Sequence, residues 1–353
     1  MSGLVTLERS VPGADVLMVT NMWPHPDVPN YGIFVKRQVD SLIEAGVRCD
    51  VLFVRGFRSP LAYAAAALRL LVTSLRERGR YRLVHAHGGE TLIPALFALG
   101  APRVVSFSGD DLLGTPRPDG SLSRASRVKA AVLRRLSHGA RRTITKSREL
   151  ESRLPAPVRA RNSVVPNGVD RDLFAPRDRG AARAELGWPP EERVALFAAD
   201  PAVERKRHPL AAAACEEAGR RGVELRLHVA AGAKPDEMPA LMNAADCLLL
   251  TSAIEGSPNV VKEALMCDLP VVSTDVGDVA ELIEGVSPSR VCRDTPAALA
   301  DGLVSVLEAG GRSDGRARSE WLDQRRIAER LNALYEEVAP TGRPAEPEGA
   351  PRA

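Results

Sequence analysis

From residue 15 onward, short apolar runs alternate with longer amphipathic stretches. Residues 15–20, 49–54, 83–87, 103–107 and 142–145 are apolar runs of strand length, and helical spacing fills about 33–45, 61–78, 91–99 and 124–136 between them. A run that is apolar at successive positions is covered on both faces, so the pattern predicts βαβ units and a parallel sheet. The alternation restarts after Ser163-Val-Val-Pro-Asn-Gly168. Strands are expected at 193–199, 224–230, 246–251 and 270–274, with helices at 208–221, 236–244, 258–267, 279–284 and 297–307. The fold class predicted is α/β, with two doubly wound, Rossmann-like domains (1–165 and 166–318) facing across a cleft. A last helix, 319–338, has no strand after it and can pack back across either domain. The Pro-, Gly- and Ala-rich tail, 339–353, is expected to be disordered.

Length agrees with two domains, since 353 residues at roughly 150 per domain suffice for two cores. The net charge of +3 implies no coat for a polyanion, and 4% aromatics leave little with which to stack bases, so nucleic acid is not an expected partner. Lys and Arg total 48, of which only six are lysine (Lys36, Lys129, Lys146, Lys206, Lys234 and Lys262), leaving 42 arginines. The five cysteines are odd in number, scattered and free of C-x-x-C spacing, which argues against a disulfide framework or zinc site and for a cytoplasmic protein. Residues 1–13 lack the basic-then-apolar order of a signal peptide. The longest apolar stretch, 61–74, is broken by Arg69 and is shorter than the roughly 20 residues a bilayer span needs.

Ligands of doubly wound sheets bind at the carboxyl ends of the strands, so function is sought in the strand-to-helix loops. The most informative reads Ser252-Ala-Ile-Glu255-Gly-Ser-Pro-Asn-Val-Val-Lys-Glu263. Ser257 is a suitable N-cap and Pro258 suits a first helical turn. Gly256 admits a ligand where a Cβ would block it. The N–H groups of Asn259 and Val260 then point out of a helix start, a ready site for a diphosphate. Asn259 and Glu263 share a helix face, which lets Glu263 reach a ribose one turn beyond the phosphate. Glu255, ahead of the helix, is placed to meet a sugar.

Here the chain resembles the GT-B glycosyltransferases, specifically glycosyltransferase family four. EGSPNVVKE (255–263), followed by ALMCDLPVVSTDVGDVAELI, is similar to that family's E-x7-E motif. The resemblance extends to VVPNGVDRDLF (164–174) and to PNYGIFVKRQVDSLIEAGVRCDVL near the start, covering about residues 15–338. It implies retaining transfer of a hexose-type sugar from a UDP- or GDP-linked donor to a glycan, lipid-linked or small-molecule acceptor, in polysaccharide or glycoconjugate synthesis. It implies no metal and no cofactor beyond the nucleotide-sugar. Carried over, Glu255 holds the donor sugar, Ser257, Pro258, Asn259 and Val260 line the diphosphate, and Glu263 binds the ribose. Lys206 matches a diphosphate-binding lysine, whereas the accompanying arginine is missing or replaced by Arg205 or Arg207. Gly32 matches a glycine that lets backbone approach the donor phosphate.

Where many relatives have a catalytic-site histidine, this chain has Ser108. Serine bonds a hydroxyl but is no base near pH 7 unaided. Asp110 and Asp111 are expected either to bind acceptor hydroxyls or to cap a turn, and His87 to contact the acceptor, with His85 structural. Lys36 and Arg37 open a helix that could face an anionic acceptor. Asp170-Arg-Asp172 follows a turn and is not read as a metal motif. The stretch 124–142 carries seven basic residues with Val128, Val132, Leu133 and Leu136 between them, suited either to solvent or to peripheral contact with anionic lipid at the inner membrane face. Two readings compete with transfer. One is a GT-B sugar-nucleotide epimerase and the other a nucleotide- or ligand-binding protein without turnover.

Overall fold

The structure is a computed structural model that describes residues 3–26, 31–115 and 121–341. Two sheets organise it. The first contains β1 (Val5–Arg9), β2 (Val16–Thr20), β3 (Cys49–Val54), β4 (Leu83–His87), β5 (Arg103–Phe107), β6 (Arg142–Thr145) and β7 (Asn162–Val164), in the order β1-β3-β2-β4-β5-β6-β7. All neighbours are parallel except β1, which runs antiparallel to β3 at the edge. The second contains β8 (Val194–Phe197), β9 (Arg226–Val229), β10 (Cys247–Leu250), β11 (Val271–Thr274) and β12 (Arg290–Cys292), all parallel, in the order β12-β11-β10-β8-β9.

The inner strands are the ones the apolar runs predict, and β2, β3, β4, β8, β10 and β11 are buried along their whole length. The strands missing from that expectation lie at sheet edges. There β1, β7 and β12 expose part of each residue set, so their sequences carry polar positions and no apolar run. The expected helix at 91–99 is cut to a 3-10 turn, Gly89–Thr91, and one helical turn, Leu92–Ala95.

The helix Gln324–Val338 returns to the first sheet. Its Ile327, Ala328, Leu331, Leu334 and Tyr335 are buried with Val35, Val39 and Leu42 of the helix Ile33–Glu44. The Tyr335 hydroxyl lies 2.6 Å from His85 Nδ1, and His85 Nε2 lies 2.8 Å from Ser106 Oγ. The two crossings between the halves run side by side. Val169 N–H donates to the Leu322 carbonyl (2.8 Å) and Gln324 N–H to that of Val169 (2.9 Å). Of the stretch expected to be disordered, residues 339–341 are described, and Thr341 N–H donates to Glu336 (2.8 Å); residues 342–353 lie outside the described residues. Among the described residues no helix is long and apolar enough to cross a membrane.

Candidate active site

Loops after β2, β4, β5, β8 and β10 meet in a cleft of about 610 Å³ between the sheets. A larger open groove, about 1070 Å³, lies by Arg193 and Arg226, at the amino ends of β8 and β9. Strand polarity favours the first, since parallel sheets present ligand loops at their carboxyl ends.

The second-half wall of the cleft is the segment Ile254–Val260 with Glu263. The helix starts at Asn259, with Pro258 as its cap residue in extended conformation and no side-chain cap. This corrects the expectation for Ser257. Its hydroxyl donates to Asp278 Oδ2 (2.7 Å) and so fixes the loop from behind instead of capping the helix. The first N–H groups of Asn259 and Val260 have no carbonyl within the helix to bond and face the cleft. Gly256 is explained by the other half of the molecule, because a Cβ there would lie 2.3 Å from the Ser108 carbonyl oxygen and 3.1 Å from Gly109 Cα.

Glu255 meets two cations: Lys206 Nζ at 2.5 Å and Arg205 Nη1 at 3.4 Å. Both come from the 3-10 turn Glu204–Lys206 after β8. That turn is pinned to the loop after β10, since Thr251 Oγ1 donates to the Lys206 carbonyl (2.8 Å) and Ala253 N–H to that of Arg205 (2.8 Å). Of the two arginines left open by the sequence, Arg205 therefore reaches the cleft. Arg207 turns away and donates to the Thr251 and Ser252 carbonyls (2.6 and 3.0 Å). Glu263 faces Arg37 Nη1 at 3.4 Å, an ion pair across the cleft, and Arg37 also stacks 5.5 Å over the Phe174 ring. Burial raises the Glu263 carboxyl above its usual range, and Arg37 and Lys262 oppose that. Lys36 instead pairs with Asp40 (2.6 Å) at the surface.

The first-half wall is assembled from separate segments: Asn21, Tyr31, Glu90, Ser108 to Asp111, Thr115 and, from a helix, Lys129. Ser108 lines it next to Gly256, and its Oγ has no hydrogen-bond partner. Asp110 is exposed in the cleft. Asp111 is buried and its carboxylate accepts the N–H groups of Gly89 (3.0 Å), Ser108 (3.1 Å) and Gly109 (3.0 Å). Of its two expected roles, acceptor contact gives way to holding the loop. His87 is also corrected: it is fully buried beneath the cleft, with both ring nitrogens unpartnered, and cannot touch an acceptor. Burial holds His87 neutral and pushes His85 down to about 3, with Lys146 adding to both shifts. Gly32 sits between Tyr31 and Ile33, which line the cleft. It is glycine because φ is 73° and a Cβ would lie 2.2 Å from the Met22 carbonyl carbon, a backbone crossing that needs no phosphate.

Glu90 and Lys129, paired at 2.9 Å, were not singled out from sequence as cleft residues. Lys129 belongs to the basic helix Arg124–Leu136, whose Ala130 and Leu133 are buried while Val128 and Val132 are 61% and 45% exposed beside Arg124, Arg127 and Arg135. The Asp170–Asp172 turn is tied up locally, with Asp172 bound to Arg325 (2.6 Å). Among the described residues no three His, Cys, Asp or Glu side chains converge as metal ligands.

Two family models match the chain, one in each half. The family described as Glycosyltransferase Family 4 matches residues 12–173, and Glycosyl transferases group 1 matches 201–309. Both halves of the chain thus match glycosyltransferase models, the first half that of family 4. The chain is a glycosyltransferase of GT-B fold. TuaC of Bacillus subtilis, a glycosyltransferase named for teichuronic acid biosynthesis, is 24% identical over 76% of this chain and 82% of its own. D-inositol 3-phosphate glycosyltransferase 2 of Catenulispora acidiphila is 27% identical over 70% of this chain and 67% of its own. Among solved structures, sucrose-phosphate synthase of Thermosynechococcus elongatus superposes with a TM-score of 0.73 (16% identity; 92% of this chain, 99% of that one). HepE of Anabaena, in complex with UDP, does so at 0.67 (19% identity; 92% and 100%).

Proposed function

We propose that this enzyme transfers a sugar from a UDP- or GDP-linked donor, with retention and without a bound metal, to a glycan or lipid-linked acceptor of cell-surface polysaccharide synthesis. The observation that carries this reading is the charge arrangement around one helix start. Lys206 and Arg205 stand beside the free N–H groups of Asn259 and Val260, with a carboxylate, Glu255 or Glu263, on either side. Two cations and a helix dipole suit a diphosphate, and the carboxylates suit the hydroxyls of the sugar and ribose attached to it. In this reading the diphosphate leaves toward Lys206 and Arg205, which neutralise the growing charge. The acceptor hydroxyl attacks from the same face and gives its proton to a departing phosphate oxygen. The protein contributes position and electrostatics. No side-chain base is then needed at Ser108. The exposed Val128 and Val132 among arginines fit a lipid surface on which a lipid-linked acceptor is held.

A thermal-shift panel of UDP, GDP, ADP and TDP, with and without EDTA, tests the donor site. One nucleotide at 100 times its Kd should add about 2.7 kcal/mol to the wild type, EDTA present or not, and much less to Glu263→Ala. Stabilisation by none of the four would sink the reading. Consumption of sugar nucleotide without acceptor would favour epimerisation over transfer. Flotation with phosphatidylglycerol vesicles, compared with phosphatidylcholine, tests the lipid surface; equal binding to both, or to neither, rules it out.

A further inference from the structure

The six lysines are not scattered among the 42 arginines. Lys129 and Lys206 line the cleft, and Lys146 and Lys262 are buried under it, 2% and 0% exposed. Only Lys36 and Lys234 lie elsewhere, both in surface pairs. Lysine thus persists against a strong compositional preference where a cation is enclosed. The chemical difference that matters there is that a buried ammonium can give up its proton, whereas a guanidinium cannot.

Lys146 follows β6 in the first half, and Lys262 lies on the helix Asn259–Met266 in the second. Lys146 Nζ has no hydrogen-bond partner. The charged and titratable groups around it are His85 and His87 on β4, Asp111 after β5, and Lys262 across the seam. Lys262 Nζ makes one contact, 3.4 Å to the Asn167 carbonyl, and faces Asp278 and Glu263. Each carboxylate near the pair is already engaged: Asp111 by three N–H groups, Asp278 by Ser257, Glu263 by Arg37. Burial and mutual repulsion push Lys146 down to about 7, and burial pushes Lys262 down to about 8. Both connect to the walls. Asn167, which accepts from Lys262, donates its side-chain amide to Asn259 Oδ1 (3.2 Å) at the helix start, and Asp111 beside Lys146 holds Ser108 and Gly109.

We propose that Lys146 and Lys262 are positioning residues that take up a proton from solvent as the anionic diphosphate of a sugar nucleotide seats at the start of the Asn259–Met266 helix, making donor binding proton-linked. This rests on the donor site proposed above. An anion arriving near the pair favours its charged form, so binding is tightest where both lysines are already protonated and weakens as pH rises through 7 to 9.

The test is calorimetric titration with UDP, or with GDP if the panel selects it, at pH 8 in buffers of different ionisation enthalpy. The wild type should take up on the order of one proton, and its affinity should fall up to about 10-fold per pH unit above 8. Lys146→Met and Lys262→Met remove a buried charge for an isosteric apolar chain, so both should melt at or above the wild-type temperature. They should also bind at least about 10-fold more weakly at pH 7, with proton uptake cut. A merely structural role predicts the reverse: lower melting temperature with an unchanged pH slope. Either that result, or Met variants that bind like the wild type, would overturn the proposal. If the wild type binds no nucleotide at all, the donor reading falls and takes this inference with it; the two failures are therefore distinguishable.

Discussion

On the second-half side of the cleft, nine consecutive residues, Glu255 to Glu263, supply both carboxylates and the helix start, and one adjoining turn supplies Arg205 and Lys206. On the first-half side, comparable chemistry is gathered from segments scattered over more than a hundred residues: Asn21, Tyr31, Glu90, Ser108 to Asp111 and Lys129. The second-half wall is local and its geometry follows from helix spacing. The other exists only once β2, β4 and β5 are aligned in register, as in the pairing of Thr20 and Ser106 with His87. A compact wall suits a ligand common to many transferases, and a composite wall can change one loop at a time, which suits a variable acceptor.

The sharpest break of this comparison is Glu255→Gln. If Glu255 holds the donor sugar as proposed, the neutral amide keeps the shape but loses a charged hydrogen bond worth about 1.5–3 kcal/mol, so turnover should fall about 100-fold. Affinity for UDP alone should be unchanged or higher, because Lys206 and Arg205 lose the partner that now occupies them at 2.5 and 3.4 Å. Loss of UDP affinity in parallel with turnover would move Glu255 from the sugar to the diphosphate.

Acid should separate the two halves by a smaller amount. His85 is buried, neutral and held down to about 3, against an ordinary value near 6.5. The unfolded chain therefore binds the proton first. Stability is complete above about pH 6.5 and falls as pH drops toward 3, by about 1.4 kcal/mol per unit, or about 2 kcal/mol at pH 5. His87 acts with the same sign. In the second half, His228 is only partly buried and is lowered less securely, by burial and by Arg226 against Glu192. Amide exchange at pH 5 should then show β4 losing protection before β10. Simultaneous loss would mean that the halves unfold as one unit.

The same division decides what could be read from the chain. Apolar runs marked every inner strand, and the E-x7-E segment marked a wall. Sequence missed β1, β7 and β12 because edge strands keep one polar side, and it misplaced Ser257 because its partner, Asp278, is contributed by the loop after β11. His87 looked like a site residue because it closes a strand at the cleft, and Asp111 because it follows one. His87 is fully buried below the cleft, and Asp111 is packed against Gly89, where a Cβ would lie 2.9 Å from Asp111 Cβ and 3.1 Å from Phe107, with its carboxylate taken by N–H groups of the loop. Glu90 and Lys129 are 39 residues apart, and nothing short of the fold pairs them. The one available signal was lysine within an arginine-rich chain.

Glu90→Gln gives the smallest and most selective effect. Glu90 and Lys129 are 28% and 39% exposed, so their pair contributes little to stability and the melting temperature should hardly move. If the composite wall receives the acceptor, the variant should raise the acceptor KM about 10-fold, the cost of one hydrogen bond to a charged group. The donor KM and the UDP affinity should stay put, since Glu90 belongs to the opposite wall from Glu255 and Glu263. Steady-state kinetics with each substrate varied in turn reads this directly. A rise in donor KM instead would show that the donor sugar spans the cleft, and the assignment of one wall to each substrate would have to be abandoned.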